Sequence, residues 1–303
     1  MSEPARPRTL VPVSAQAPLI DAEMPAGEAL RVILLEALAQ VNANVPVANA
    51  RHSEGLHQLR VGLRRLRTAL TLTDLTGLAA LDVRAKAIIN KIGPARDLDV
   101  FVTELFPPAV GELGARRGFE LLAERAERQR RRAWDAAVAE VSGPELRAFD
   151  NDVAAAAQAI EWPDAIATEA PQLLDHAMRR ANKRGRHFAQ LDPPSRHRLR
   201  IALKKLRYAA EFFAPLYPKK TVKHWLAPLK ELQDQLGHLN DVAQVRGVIE
   251  TLLTESAASA AVQAELSNAA GLLQGFHQTR SEAVARTTHQ QWKAFRATPV
   301  FWA

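Results

Sequence analysis

From Glu28 to Val41 the apolar residues Leu30, Ile33, Leu34, Ala37, Leu38 and Val41 fall three and four positions apart, the spacing that lines one face of an α-helix. The same period returns down the chain. It predicts further helices over roughly 52–75, 80–91, 97–106, 112–141, 165–189, 194–214, 219–236, 239–253 and 257–290, with Pro, Gly or Asn marking the breaks. No credible set of strands emerges, so the expected class is all-α. The most loop-like stretch runs from Ser142 to Asp164, with Gly143, Pro144 and Pro163, although its alanine run is also compatible with a helix. A boundary there gives three parts: a flexible tail over 1–27, a first helical bundle over 28–150 and a second over 151–303.

The two parts resemble each other. LHQLRVGLRRLR (56–67) lies over RHRLRIALKKLR (196–207), so that His57, Arg60, Arg64 and Arg67 meet His197, Arg200, Lys204 and Arg207 at an offset of 140. Downstream, NKIGPARDLDV (90–100) lies over DQLGHLNDVAQ (234–244) at an offset of 144. Preserved order and nearly preserved spacing point to an internal duplication. A period this long belongs to a duplicated bundle of several helices, not to a solenoid of short repeats.

Composition narrows the partner. A chain of 303 residues exceeds the size at which one core keeps growing, and 47% hydrophobic residues are enough to fill two. Forty Lys and Arg against 33 Asp and Glu give a formal charge of +7, which favours an anionic partner. The absence of cysteine excludes disulfides, thiolate metal sites and cysteine nucleophiles, and fits a reducing compartment. The N-terminus is broken by Pro4, Pro7, Pro12 and Pro18 and has no uninterrupted apolar stretch, unlike a signal peptide. No later segment approaches 18 apolar residues free of charge. A soluble, cytoplasmic protein without a membrane partner is the expectation.

The positive charge is patterned. With His57 at zero and about 100° per residue, Arg60, Arg64 and Arg67 fall near 300°, 340° and 280°, while Leu59, Leu63, Leu66 and Leu70 fall between about 180° and 240°. The basic stripe therefore borders the apolar one, where side chains line a groove between packed helices. The row is about 15 Å long, enough to track several successive charges of an extended anion. No Asp or Glu lies between Leu56 and Leu70, or between Ser195 and Ala210. Like charges at these spacings repel by a few tenths of a kcal/mol per pair, so the stripes call for an external counter-charge. A merely solvated basic face is the competing account of one such helix; two matched copies count against it. Arg179, Arg180, Lys183 and Arg184 form a further acid-free group, whereas Arg125, Arg128 and Arg132 alternate with Glu120, Glu124 and Glu127 and are expected to pair with them.

Three roles are open to His57 and His197: metal ligand, core or cap residue, and donor to an anion. The surrounding cations oppose the first, no partner at i+4 completes a chelate, and the third suits the stripe. In GPARDLDVF and GHLNDVAQV the glycine is expected to end a helix, and Asp97 and Asp241 to cap the next. A magnesium site on Asp97 and Asp99 is the alternative, but the pair diverges by about 200° on a helix. Lys91 and Arg96 in the first turn, and Lys230 and His238 in the second, are candidates to face the stripes.

The motifs EGLHQLRVGLRRLR with IGPARDLDV, and HRLRIALKKLRYAAEFF with LKELQDQLGHLNDVAQV, resemble those of the conserved histidine α-helical domain (CHAD) family, over about 28–303. The ending WKAFRATPVFW is also similar to the family's. The resemblance implies two pseudo-symmetric four-helix bundles around a basic surface and pore, and binding of long-chain inorganic polyphosphate. It carries His57, Arg60, Arg64 and Arg67, and His197, Arg200, Lys204 and Arg207, into the ligand set. Lys91, Arg96, Arg179, Lys183 and Lys230 join them as auxiliary contacts. Asn240 stands where the first half has Arg96, a departure from strict symmetry. The Glu-x-Glu-x-Lys motif of the triphosphate-tunnel domain often fused to family members does not occur, which leaves a stand-alone binder as the expectation, one that could associate with polyphosphate granules. Nucleic acid is the less favoured partner, because the basic helices lack interleaved aromatics apart from Tyr208. An enzyme acting on polyphosphate would need a carboxylate cluster that the spacing does not provide, so no catalytic residue, metal or cofactor is expected.

Overall fold

The computed structural model describes residues 10–73, 75, 77–255 and 259–303. These residues form α1 (Ala26–Asn49), α2 (Ser53–Leu70), α3 (Leu78–Val100), α4 (Phe106–Leu113), α5 (Arg117–Ser142), α6 (Pro144–Gln158), α7 (Ile166–Arg184), α8 (Pro193–Phe213), α9 (Lys219–Leu253) and α10 (Ala260–Ala297). A π turn, Phe101–Leu105, joins α3 to α4. No strand occurs among the described residues, so the all-helical expectation holds.

Several boundaries differ from the expected ones. The two Gly-x-x-x-Asp segments do not break their helices: α3 runs through Gly93 and Pro94, and α9 through Pro228 and Gly237. Pro94 withholds the N–H that would bond the Asn90 carbonyl, a loss of about 3 kcal/mol in an isolated helix. Ile88, Ile92, Ala95 and Leu98 are buried along the same helix, and burying each large side chain contributes about 1.5–3 kcal/mol, so packing overrides the local breaker. Asp97 and Asp241 are thus mid-helix residues, not caps. The alanine run after Pro144 becomes α6, packed on α1 and α3. The single helix expected over 112–141 is interrupted at Gly114, whose φ of 80° ends α4 in a conformation that side chains disfavour. The helix expected over 257–290 starts partly outside the described residues; α10 begins after Ser259, whose hydroxyl accepts from the Val262 N–H.

Of the expected tail, residues 1–9 lie outside the described residues, and the remainder is pinned from Val13 onward. The Asn44 side chain on α1 accepts from the Val13 N–H at 3.0 Å and donates to the Val13 carbonyl at 2.8 Å, and Pro18 and Ile20 are buried. Length and apolar composition would let α1 cross a membrane, yet half of its most apolar stretch is buried inside the fold. It meets α2 closely. A Cβ on Gly62 would stand 2.9 Å from the Val41 side chain and 3.1 Å from its backbone nitrogen, so only glycine fits this crossing.

Both buried cores draw on both parts of the chain. The larger unites Leu34, Leu59 and Leu63 with Leu199, Leu203 and Leu229; the smaller unites Phe101, Phe119 and Leu122 with Val245, Ile249 and Leu273. The C-terminus closes the larger one. Trp302 stacks edge-on against Trp225 at 4.9 Å and donates to Asp175 at 2.8 Å.

Candidate functional site

Leu59, Leu63 and Leu66 of α2 and Leu199, Leu203 and Leu206 of α8 are all fully buried, and they turn the two helices toward each other. Two bridges fix the crossing. Arg65 donates to Glu211 at 2.7 Å and packs over the rings of Tyr208 and Phe212, while Lys205 donates to Thr71 at 2.9 Å. The bridges are reciprocal: residue 65 corresponds to 205, and 71 to 211, at the offset of 140. Sequence reading missed this clamp because it attended to the stripe, and Arg65 and Lys205 lie at about 80°, across the helix from it.

The crossing brings the two stripes into one seam. Lys204 of α8 feels Arg200 and Arg207 of its own helix together with Arg64 and Arg60 of α2. Burial, then these guanidinium groups, lower its pKa from 10.5 to about 6, so the amine sheds its proton near neutrality. Arg200 is lowered by burial and by Arg64, with Asp241 opposing. His57 is brought down to about 4, chiefly by burial and then by Arg96. Burial first, and the crowding of like charge second, expel protons from Lys204 and His57.

Nearby acids settle on particular members. Arg60 donates to the Gly93 carbonyl at 2.8 Å and reaches Asp97 at 3.4 Å. Arg67 is held by Asp82 through two hydrogen bonds of 2.7 and 3.2 Å, and Arg207 lies 3.8 Å from Glu211. Among the described residues, the side chains of Arg64, Arg200 and Lys204 have no hydrogen bond or ion pair, and the Nε atoms of Arg64 and Arg200 are buried without a partner. Two half-buried guanidinium groups and an amine that gives up its proton in the free protein therefore share the seam without a hydrogen-bonded acid.

The auxiliary candidates divide. Arg96 joins the seam, near His57, and is held by Ser53 at 3.1 Å and Glu104 at 3.2 Å. His197 is exposed, with its Nδ1 2.9 Å from Asn240, the residue that stands where the first part has Arg96, whose charge acts on His57. Lys91 turns away to Glu140 on α5 at 3.0 Å, because its place on α3 faces that helix and not α2. Arg179, Lys183 and Lys230 are exposed and none enters the cluster around Lys204. Arg128 and Arg132 reach Glu255 instead of acids on their own helix, and Arg125 donates to the Leu252 and Glu255 carbonyls. Asp99 is fully buried and accepts from Arg130 at 2.6 Å and Trp134 at 2.9 Å, which commits it to the core; no group of three His, Asp or Glu able to hold a metal occurs among the described residues.

The family description "CHAD domain" matches residues 32–250. Among solved structures, the CHAD domain from the plant Ricinus communis superposes with a TM-score of 0.82 at 25% identity, covering 96% of this chain and 98% of that one. PptA from Streptomyces chartreusis superposes with a TM-score of 0.69 at 16% identity, covering 89% and 100%. No curated protein matches the sequence.

Proposed function

The chain belongs to the CHAD domain family, and on that premise we propose that it binds inorganic polyphosphate along the seam between α2 and α8, without chemical conversion. The observation that carries this reading is the group of Arg64, Arg200 and Lys204, half-buried basic side chains with no acid hydrogen-bonded or ion-paired to them, whose amine regains its proton when an anion enters. An anion with closely spaced charges relieves that repulsion along its whole length; a single phosphate relieves it at one point. His57, Arg60, Arg96 and Arg207 extend the track, while Arg67, already neutralised by Asp82, contributes less. Lys91, Arg179, Lys183, His197 and Lys230 serve at most as outer contacts for a long chain.

The fold is read as two pseudo-symmetric four-helix bundles, α1–α2–α3–α5 and α7–α8–α9–α10, from an internal duplication divided near residue 150. The reciprocal bridges Arg65–Glu211 and Lys205–Thr71 support it, as does the placement of Arg96 near His57 and of Asn240 beside His197. A chain without cysteine suits a reducing compartment such as the cytoplasm, and granule association is open to a polyphosphate binder. Nucleic acid is disfavoured because, among the described residues of the two basic helices' stripes, the one neighbouring ring, Tyr208, is buried and offers no stacking surface.

The test compares long-chain polyphosphate, single-stranded RNA and duplex DNA at one salt concentration, with a salt series and a phosphate-release assay. Polyphosphate should bind most tightly, with affinity falling steeply in salt as counterions are released, and no phosphate should appear. Changing Arg64, Arg200 and Lys204 together to Gln should flatten the salt dependence and weaken binding at least tenfold. Equal affinity for RNA, phosphate release, or wild-type affinity in the triple variant would each overturn the reading.

A further inference from the structure

A second cleft begins where the seam ends. At one end is a cavity of about 320 Å³ between the last turn of α2, α3, α7 and α8. Arg67, the last member of the α2 stripe and held by Asp82, lines it together with Lys86, Arg180, Arg184, Arg198 and Lys205, and no Asp or Glu is among its described lining residues. The floor is apolar, made by Leu72, Leu173, Ala177 and Ile201. Ile201 is 44% exposed, and beyond the N-terminal segment only Val83 shares that condition among the described large hydrophobic residues. An inorganic chain has no use for such a floor.

The cavity continues into a second chamber that shares Thr71, Leu72, Leu173, His176 and Arg180 with it. Here the chemistry changes. Trp162 offers a half-buried aromatic ring, Gln172 an amide, and Glu161 and Glu169 carboxylates that offset Arg179 on the same chamber. Thr73 also lines this chamber, and its hydroxyl oxygen is buried without a hydrogen-bond partner. One face of α7 spans both ends: Gln172, His176, Arg180 and Arg184 recur every fourth residue over about 18 Å. The cleft thus grades from cationic over apolar to aromatic with hydrogen-bonding groups, and the carboxylates at the far end repel phosphate from it.

We propose that this cleft binds a nucleoside polyphosphate, with the phosphates among Arg180, Arg184 and Lys205 and the base against Trp162. The floor covers the sugar's apolar face, and Gln172, Thr73 and the carboxylates supply donors and acceptors for the base edge and the ribose hydroxyls. The site does not rest on polyphosphate binding at the seam and uses none of the unpaired seam cations.

The experiment titrates the full chain with adenosine triphosphate, inorganic tripolyphosphate and adenosine by calorimetry, with circular dichroism as the folding control. In the triple Gln seam variant, which leaves tripolyphosphate the cleft alone, adenosine triphosphate should bind about tenfold more tightly than tripolyphosphate, the worth of one stacked base. R180E with R184E, both exposed on α7, should weaken the two phosphates at least tenfold, and W162L should erase the preference between them. Adenosine triphosphate binding should survive the triple Gln variant of the seam. Equal binding of adenosine triphosphate and tripolyphosphate by the seam variant overturns the proposal. So does loss of adenosine triphosphate binding in the seam variant with retention in R180E/R184E. Failure of the seam variant to lose long-chain polyphosphate would instead count against the seam and leave the cleft standing.

Discussion

Replacing Lys204 with Met keeps an unbranched side chain one atom shorter and removes the one seam amine that can release its proton. In the free protein its pKa is lowered from 10.5 to about 6, first by burial and then by Arg200 and Arg64. Between those values the free folded chain lacks a proton that the polyphosphate-bound chain carries, since phosphate oxygens around the amine restore its ordinary affinity for it. Binding therefore takes up close to one proton at about pH 8, and affinity falls about tenfold per pH unit between about pH 7 and 9. Stability carries the opposite sign: the folded chain binds fewer protons than the unfolded chain in this window, so stability rises with pH and is lost as pH falls toward 6. Calorimetric titration with long-chain polyphosphate in two buffers of different ionisation heat, at constant ionic strength, counts the protons directly. K204M should take up almost none and show a nearly flat affinity, while Arg179→Gln, exposed and outside the seam, should keep the wild-type slope. Wild-type affinity that does not change from about pH 7 to 9, or a K204M slope equal to wild type, would refute the argument.

Three further outcomes are expected. Arg67→Gln should cost polyphosphate affinity several-fold less than Arg64→Gln in a matched binding series, because Arg67 is already committed to Asp82. Gly62→Ala should lower stability in urea unfolding by about 1–3 kcal/mol, since the added methyl meets Val41 at 2.9 Å on a helix crossing that cannot open. Asp99→Asn should cost up to about 3 kcal/mol in the same assay, because it strips the buried counter-charge from Arg130 while Trp134 keeps an acceptor.

The hydrophobic period determined that the chain is helical, and the matched segments 56–67 and 196–207 located both basic stripes beside their leucines. These features are local: they depend on residues three and four apart, which a helix brings to one face whatever surrounds it. Where the helices end was less legible. Gly93, Pro94 and Gly237 carry the signals of a break, but burial of Ile92 and Leu98 in one helix and Leu236 and Val245 in the other outweighs them. The division of labour among the cations was not legible at all. Arg64 and Arg67 look alike in the motif, yet Asp82 on another helix neutralises one and nothing reaches the other. Only the crossing of α2 over α8, set by Arg65 with Glu211 and Lys205 with Thr71, merges two separate stripes into a single seam. Charge density depends on distances between segments some 140 residues apart, and packing alone decides those.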